Sequence, residues 1–290
     1  MGFISLAENK CMKPIIPIVV AVDFTERARS AANYAADMAL AAESDLHVFH
    51  AVQVPVSPAD APVGYVFEQV MESAKDSLGK WAEELRERTK NQVTVSTVLE
   101  VGGLPLQLQA VCDRLKPFLV VMGGPGDVYE RLLGGGGSLY AVRHLPYPVL
   151  VVPQGSTFHA IRKVAMACEL KELQDGMLVS RAFLRELQQL FAAHFDILNV
   201  KTAARSGGDK EVFELYHWKE SLEDVTPALH FVKADTVEEG IMRYLGEQNV
   251  DWLMVFPRRH GLLEFHRSQS KRIVMHCPVP VLSICEPALV

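Results

Sequence analysis

The chain has 290 residues, 49% hydrophobic and 22% charged, which points to two domains with real cores rather than a disordered tail. Thirty-five acidic against 29 basic residues leave a net charge of −6, an argument against a nucleic-acid binder with a basic face. No run of about 18 apolar residues is present to span a membrane.

The opening MGFISLAENKCM holds too short an apolar stretch for a secretory signal. Ile18–Val22 is the first short apolar run. Thr25, after Asp23 and Phe24, is the predicted N-cap of a helix. Ala28, Ala31, Ala32, Ala35, Met38, Ala39 and Ala42 then recur at helical spacing, with small side chains suited to close packing on a sheet. Leu46–Val52 is a second apolar run. The segment from Val52 to Tyr65 is too rich in proline for a helix or central strand, and reads either as a loop over a ligand site or as a surface loop. Phe67, Val70, Met71, Ala74, Leu78, Trp81 and Leu85 mark a second helix, and Leu104, Leu108, Val111 and Leu115 a third. Phe118–Met122 is the next strand.

The stretch Pro153–His159 breaks the apolar pattern and reads as a linker. Beyond it the order repeats: a run at Val164–Cys168, a stripe at Val179, Phe183, Leu187 and Leu190, and a run at Phe195–Val200. A weaker stripe follows at Val212, Leu215, Tyr216 and Leu222, then a run at Trp252–Phe256. HLPYPVLVV from His144 lines up with HCPVPVLSI from His276. An internal duplication of about half the chain is the simplest explanation. Short unbroken strands between helices imply βαβ crossovers and a mostly parallel sheet covered on both faces, whose ligands bind beyond the C-terminal strand ends. Cys11, Cys112, Cys168, Cys277 and Cys285 are odd in number and lack C-x-x-C spacing. They exclude a disulfide scaffold and a zinc ribbon, and suit a reducing cytoplasm.

The chemistry-bearing feature is glycine. FLVVM runs into Gly123-Gly124-Pro125-Gly126, and Gly134-Gly135-Gly136-Gly137-Ser138 precedes a helical pattern over Leu139–Leu145. Without a Cβ, backbone N–H groups can approach an anion, and a helix starting at Ser138 would aim its donors at the same place. The alternative is a pair of turns. The second half keeps only Gly261 after its matching strand; Arg258, Arg259, Arg267, Lys271 and Arg272 meet an anion there or form a charged surface. His260, His266 and His276 match no zinc spacing. Asp23 can accept hydrogen bonds from a ribose or a base edge or hold a metal through water, or it can simply favour a helix N-terminus. No Walker lysine motif, nucleophile elbow or H-E-x-x-H is present.

These residues together resemble the universal stress protein family, in a tandem form covering nearly residues 13–290. The resemblance rests on Val19–Thr25, on His50-Ala51-Val52, on G-2x-G-9x-G at Gly123, Gly126 and Gly136, and on Arg143-His144-Leu-Pro-Tyr-Pro-Val-Leu-Val-Val. The chain departs from the pattern at Gly137, which stands where the family has Ser or Thr; Ser138 follows one step later. The resemblance implies an α/β fold of two tandem five-stranded parallel-sheet domains, Rossmann-type and adenine-nucleotide alpha-hydrolase-like, forming an intramolecular pseudo-dimer. It implies an extension over 1–12, domain 1 over 13–153, a linker over 154–160 and domain 2 over 161–290. It places adenine and ribose at Ala21, Val22 and Asp23 and at Ala51 and Val52. Phosphates go to Met122, Gly123, Pro125, Gly126, Gly136, Gly137 and Ser138. The ligand would be ATP or AMP, with or without Mg2+, and the role a cytoplasmic one in stress response or signalling, with at most slow ATP hydrolysis. No membrane or nucleic-acid partner is expected, whereas a homodimer and further protein partners are open. In the second half Glu169 replaces the Asp and the glycines are gone, so that half is expected to be structural, pairing through Pro148–Val152 and Pro280–Cys285. The alternative is a nucleotide-free scaffold for protein contacts.

Overall fold

The structure, a computed structural model, describes residues 16–53, 63–124, 137–168, 181–202, 225–257 and 269–285. The first half runs β1 (Ile18–Ala21), α1 (Glu26–Ala42), β2 (Leu46–Val52), α2 (Val63–Arg88), β3 (Val95–Val101), α3 (Leu104–Leu115), β4 (Leu119–Gly123), α4 (Gly137–His144) and β5 (Val149–Val152). The second runs β6 (Lys163–Ala167), α5 (Arg181–Phe191), β7 (His194–Lys201), β8 (Ala228–Lys233), α6 (Val237–Glu247), β9 (Trp252–Val255), α7 (Gln269–His276) and β10 (Val281–Ser283).

All ten strands join one sheet, in the order β3-β2-β1-β4-β5-β10-β9-β6-β7-β8. Strand neighbours are parallel except at the centre, where β5 and β10 run antiparallel with Val151 opposite Val281 and Val149 opposite Ser283. The order on one side of this seam mirrors the order on the other. The expected pair of five-stranded sheets is thus continuous. Backbone pairing at the seam satisfies two strand edges that would otherwise be open.

Strand alternation sorts the core into two layers. Val20, Val48, Val121, Met166 and Trp252 point to the face covered by α1, α2 and α5. Val19, Phe49, Val120, Leu198 and Leu253 point to the face covered by α3, α4, α6 and α7. Central strands such as IVVA, VLVV and WLMV are apolar throughout because both faces are buried. The two strands that no apolar run announced, β3 and β8, are the sheet's edges, and their mixed sequences VSTVLEV and ALHFVK reflect partial exposure.

Side chains tie the halves together away from the seam as well. The buried Trp252 indole N–H donates to Tyr34 Oη at 2.6 Å. Phe118 stacks on Phe183 at 5.1 Å. Ser283 Oγ donates to the Val142 carbonyl at 2.8 Å. The segment 153–162 carries no helix or strand. It is pinned by Asp251, which accepts from the Arg162 and Lys163 amides at 2.7 and 2.8 Å and contacts His159 Nε2 at 2.7 Å. Cys112, Cys168, Cys277 and Cys285 are all buried. Cys11 and the stripe at Val212–Leu222 lie outside the described residues. Among those described, no helix is long and apolar enough to cross a membrane.

Candidate functional site

β1 pairs with β2 on one side and β4 on the other, so the chain direction across the sheet reverses between β1 and β4. The connections that leave β1 and β4 diverge to opposite faces of the sheet at such a switch and leave a crevice. A cavity of about 240 Å3 occupies it, lined by the ends of β1, β2 and β4 and by the first residues of α1, α3 and α4.

Of the residues expected from the sequence, Ala21, Val22, Asp23, Ala51, Met122, Gly123, Gly137 and Ser138 line this cavity. Val52 is buried and does not line it. Strand alternation turns it away from the side its neighbour Ala51 takes. Pro125, Gly126 and Gly136 lie outside the described residues, as do Glu169, His260, His266 and most of the proline-rich segment. The cavity also draws on Thr25, Arg27, His50, Gln53, Leu104 and Gly124, which sequence reasoning did not select. Arg27 was within reach of it, one helical turn beyond Asp23, and His50 is the immediate neighbour of Ala51.

The α1 entrance is built by hydrogen bonds. Thr25 is the N-cap, its Oγ1 accepting from Ala28 N at 3.3 Å. The Thr25 amide and hydroxyl in turn donate to Asp23 Oδ1 at 3.1 and 2.5 Å. Asp23 Oδ2 faces Arg27 Nη2 at 4.0 Å, and the Asp23 side chain is 60% exposed. Phe24 adopts the left-handed conformation with φ +62°, a costly choice for an aromatic residue. It carries the Phe24 ring onto His50 at 4.5 Å and edge-on to Trp81 at 5.5 Å. His50 Nδ1 lies 2.7 Å from the Val22 carbonyl. Since a carbonyl only accepts, Nδ1 carries the proton and the tautomer is fixed. In the second half Asn199 Nδ2 donates to the Cys168 carbonyl at 3.2 Å, a matching bond at the matching strand ends.

One glycine of the site is required by close approach to backbone. A Cβ on Gly123 would lie 2.9 Å from the Arg27 carbonyl carbon and oxygen and 3.1 Å from Ala28 N, so the start of α1 can rest on the end of β4 only if that residue is glycine. A Cβ on Gly137 would lie 2.2 Å from Leu104 Cδ2. That atom is the end of the flexible Leu104 side chain of α3, so a Cβ there calls for a shift of Leu104 alone. Ser138 is only 7% exposed, lines the cavity and has no hydrogen-bond partner among the described residues. It stands in the first turn of α4, where backbone N–H groups are open to an acceptor. Among the described residues no cluster of three metal-ligating side chains exists, and Asp23 is the one carboxylate on the cavity wall.

Residues 16–153 match the model of the universal stress protein family. No curated protein matches the sequence. The fold is similar to that of a universal stress protein from Archaeoglobus fulgidus DSM 4304, with a TM-score of 0.73 at 15% identity over 93% of this chain and 98% of that one. It is also similar to a functionally unknown protein from Pseudomonas aeruginosa PAO1, with a TM-score of 0.56 at 14% identity over 94% of each chain. At these identities the likeness is one of fold.

Proposed function

We propose that the domain over residues 16–153 binds an adenine nucleotide, ATP or AMP, and acts in a stress response, with residues 161–290 as a second, structural domain of the same architecture. The observation that carries this is Ser138. A buried hydroxyl without a partner costs free energy, and here it faces a crevice at the switch point beside an open helix N-terminus. A phosphate oxygen would accept from that hydroxyl and from the first amides of α4. Arg27 would add positive charge. Asp23 and the end of β2 at Ala51 would face the ribose and base. A Mg2+ ion would arrive on the nucleotide's own phosphates, since the cavity wall offers only Asp23.

The two-domain reading is supported by the mirrored strand order and by the repeated bond of Asn199 to Cys168 and His50 to Val22. The second reading is a protein-interaction scaffold free of nucleotide. It is favoured by Leu104, whose side chain packs against Gly137 on the cavity wall.

Calorimetric titration of AMP and of ATP, each with and without Mg2+, separates the two. One nucleotide per chain is expected. Ser138→Ala should weaken binding by about tenfold or more, the worth of one charge-assisted hydrogen bond, with an equal or higher ligand-free melting temperature. Absence of binding by either nucleotide would establish the scaffold instead.

A further inference from the structure

The ladder between β1 and β2 stops one bond early. Ile18 N donates to the Asp45 carbonyl at 2.8 Å and Val22 N to the Phe49 carbonyl at 2.9 Å, and the strand pairing ends at Ala21 opposite Phe49. The next bond of this parallel ladder would run from Ala51 N to the Val22 carbonyl. It is not formed. The Val22 carbonyl accepts from His50 Nδ1 at 2.7 Å instead. Successive residues of a strand turn their N–H and C=O to alternate neighbours. Those of Val52 are committed to β3, where Gly102 N donates to the Val52 carbonyl at 2.9 Å. Those of Ala51 point the other way, into the space beyond β1. They have no partner among the described residues, and Ala51 lines the crevice.

His50 is held to this contact. Two residues beyond Val48, it lies on the sheet face covered by α1 and α2. There its ring meets Phe24 at 4.5 Å, and Phe24 in turn sits edge-on to the buried Trp81 at 5.5 Å. Phe24 reaches that place only through its left-handed backbone, and strain of this kind persists where the surroundings hold it for a use. The second half repeats the device with another side chain. Pairing of β6 with β7 ends at Ala167 opposite Leu198, and Asn199, the next residue, donates to the Cys168 carbonyl at 3.2 Å. What histidine and asparagine share is a side-chain N–H of suitable reach.

We infer that His50 is a positioning residue: by taking the Val22 carbonyl it keeps the ladder from closing and reserves the Ala51 N–H and C=O for the edge of a purine base. That the occupant is a base rests on the nucleotide reading above; that His50 holds the ladder open does not. A donor and an acceptor on one residue suit adenine, which presents a ring-nitrogen acceptor and an amino donor. In hypoxanthine a carbonyl oxygen replaces that amino group, so an acceptor would face the Ala51 carbonyl.

Amide hydrogen exchange on the ligand-free full chain tests the ladder. Ala51 should exchange as an open amide in the parent. In His50→Ala it should exchange about tenfold or more slowly, because the freed Val22 carbonyl can now accept from it. His50→Asn, which copies Asn199, should keep it open. Titration with AMP and with IMP tests the base. The parent should prefer AMP. His50→Ala should lose about tenfold of that preference while still binding both through the phosphate, and His50→Asn should retain it. A histidine needed only for stability would weaken both nucleotides alike and would not be replaced by asparagine. A protected Ala51 amide in the parent, or unchanged exchange in His50→Ala, would overturn the inference whatever the nucleotides do. An open amide with no binding of either nucleotide by the parent would overturn the nucleotide reading and the base-binding half of this inference, while the exchange result still decides the part of His50.

Discussion

Burial at single residues sets how this protein responds to alkali. Burial pushes the Cys112 and Cys277 thiols up from 9.0 to about 12. Between those values the unfolded chain releases thiol protons that the folded chain keeps. The unfolded state then binds fewer protons, so this part of the stability is intact below about pH 9 and is lost as pH climbs toward 12. The Tyr34 and Tyr244 phenols, also raised chiefly by burial, act in the same direction. Thermal melts across this range should fall steadily, and fall less in Cys112→Ala after allowance for its lower starting point. Native alkylation at about pH 8 should leave both thiols unmodified, since the thiolate is the reactive form. Labelling at the rate of a free thiol would contradict their burial.

At the scale of elements, two helix glycines make opposite predictions. Gly79 of α2 is exposed, and a Cβ there would meet nothing within 4 Å. Gly79→Ala should therefore stabilise the protein by about 0.5–1 kcal/mol through helix propensity alone. Gly240 of α6 faces β7, and its Cβ would lie 2.4 Å from Val200 Cγ1 and 2.9 Å from Cγ2. Valine is stiff about χ1 and cannot easily yield. Gly240→Ala should cost about 1–3 kcal/mol by overpacking. In the Val200→Ala background the same change should cost much less, because the colliding methyls are gone. Denaturant melts of the four variants read these differences; a Gly240→Ala protein as stable as the parent would mean that α6 sits farther from the sheet.

Across the whole molecule, stability is shared between the halves. Tyr34 lies on α1 and Trp252 on β9, more than 200 residues apart, and the bond between them is fully buried. Tyr34→Phe would leave the indole N–H without an acceptor, at a cost of about 1–3 kcal/mol. With a continuous sheet through β5 and β10, that loss should lower one cooperative transition rather than the melting of one half. Two transitions with only one displaced would show that the halves unfold independently.

Much of this architecture is legible in the sequence because its causes are local. Side-chain periodicity marked β1, β2, β4, α1, α2 and α3, since an element buried on one or both faces must repeat its apolar residues at its own period. The duplicated order of runs, and the glycines flanking β4, likewise lie along the chain. The edge strands β3 and β8 escaped because partial exposure dilutes that period. The rest depends on which residues meet across the sheet. Gly123 is required by the backbone of Arg27. His50 is oriented by Val22. Lys201 and Lys233 become neighbours only through the register of β7 and β8. Composition and periodicity determined that the chain would form covered parallel sheets with a glycine-lined crevice. Close approach between segments distant in sequence, which no local period encodes, was decided by the tertiary structure: it brought the start of α1 against Gly123 and set two lysines side by side at the other end of the sheet.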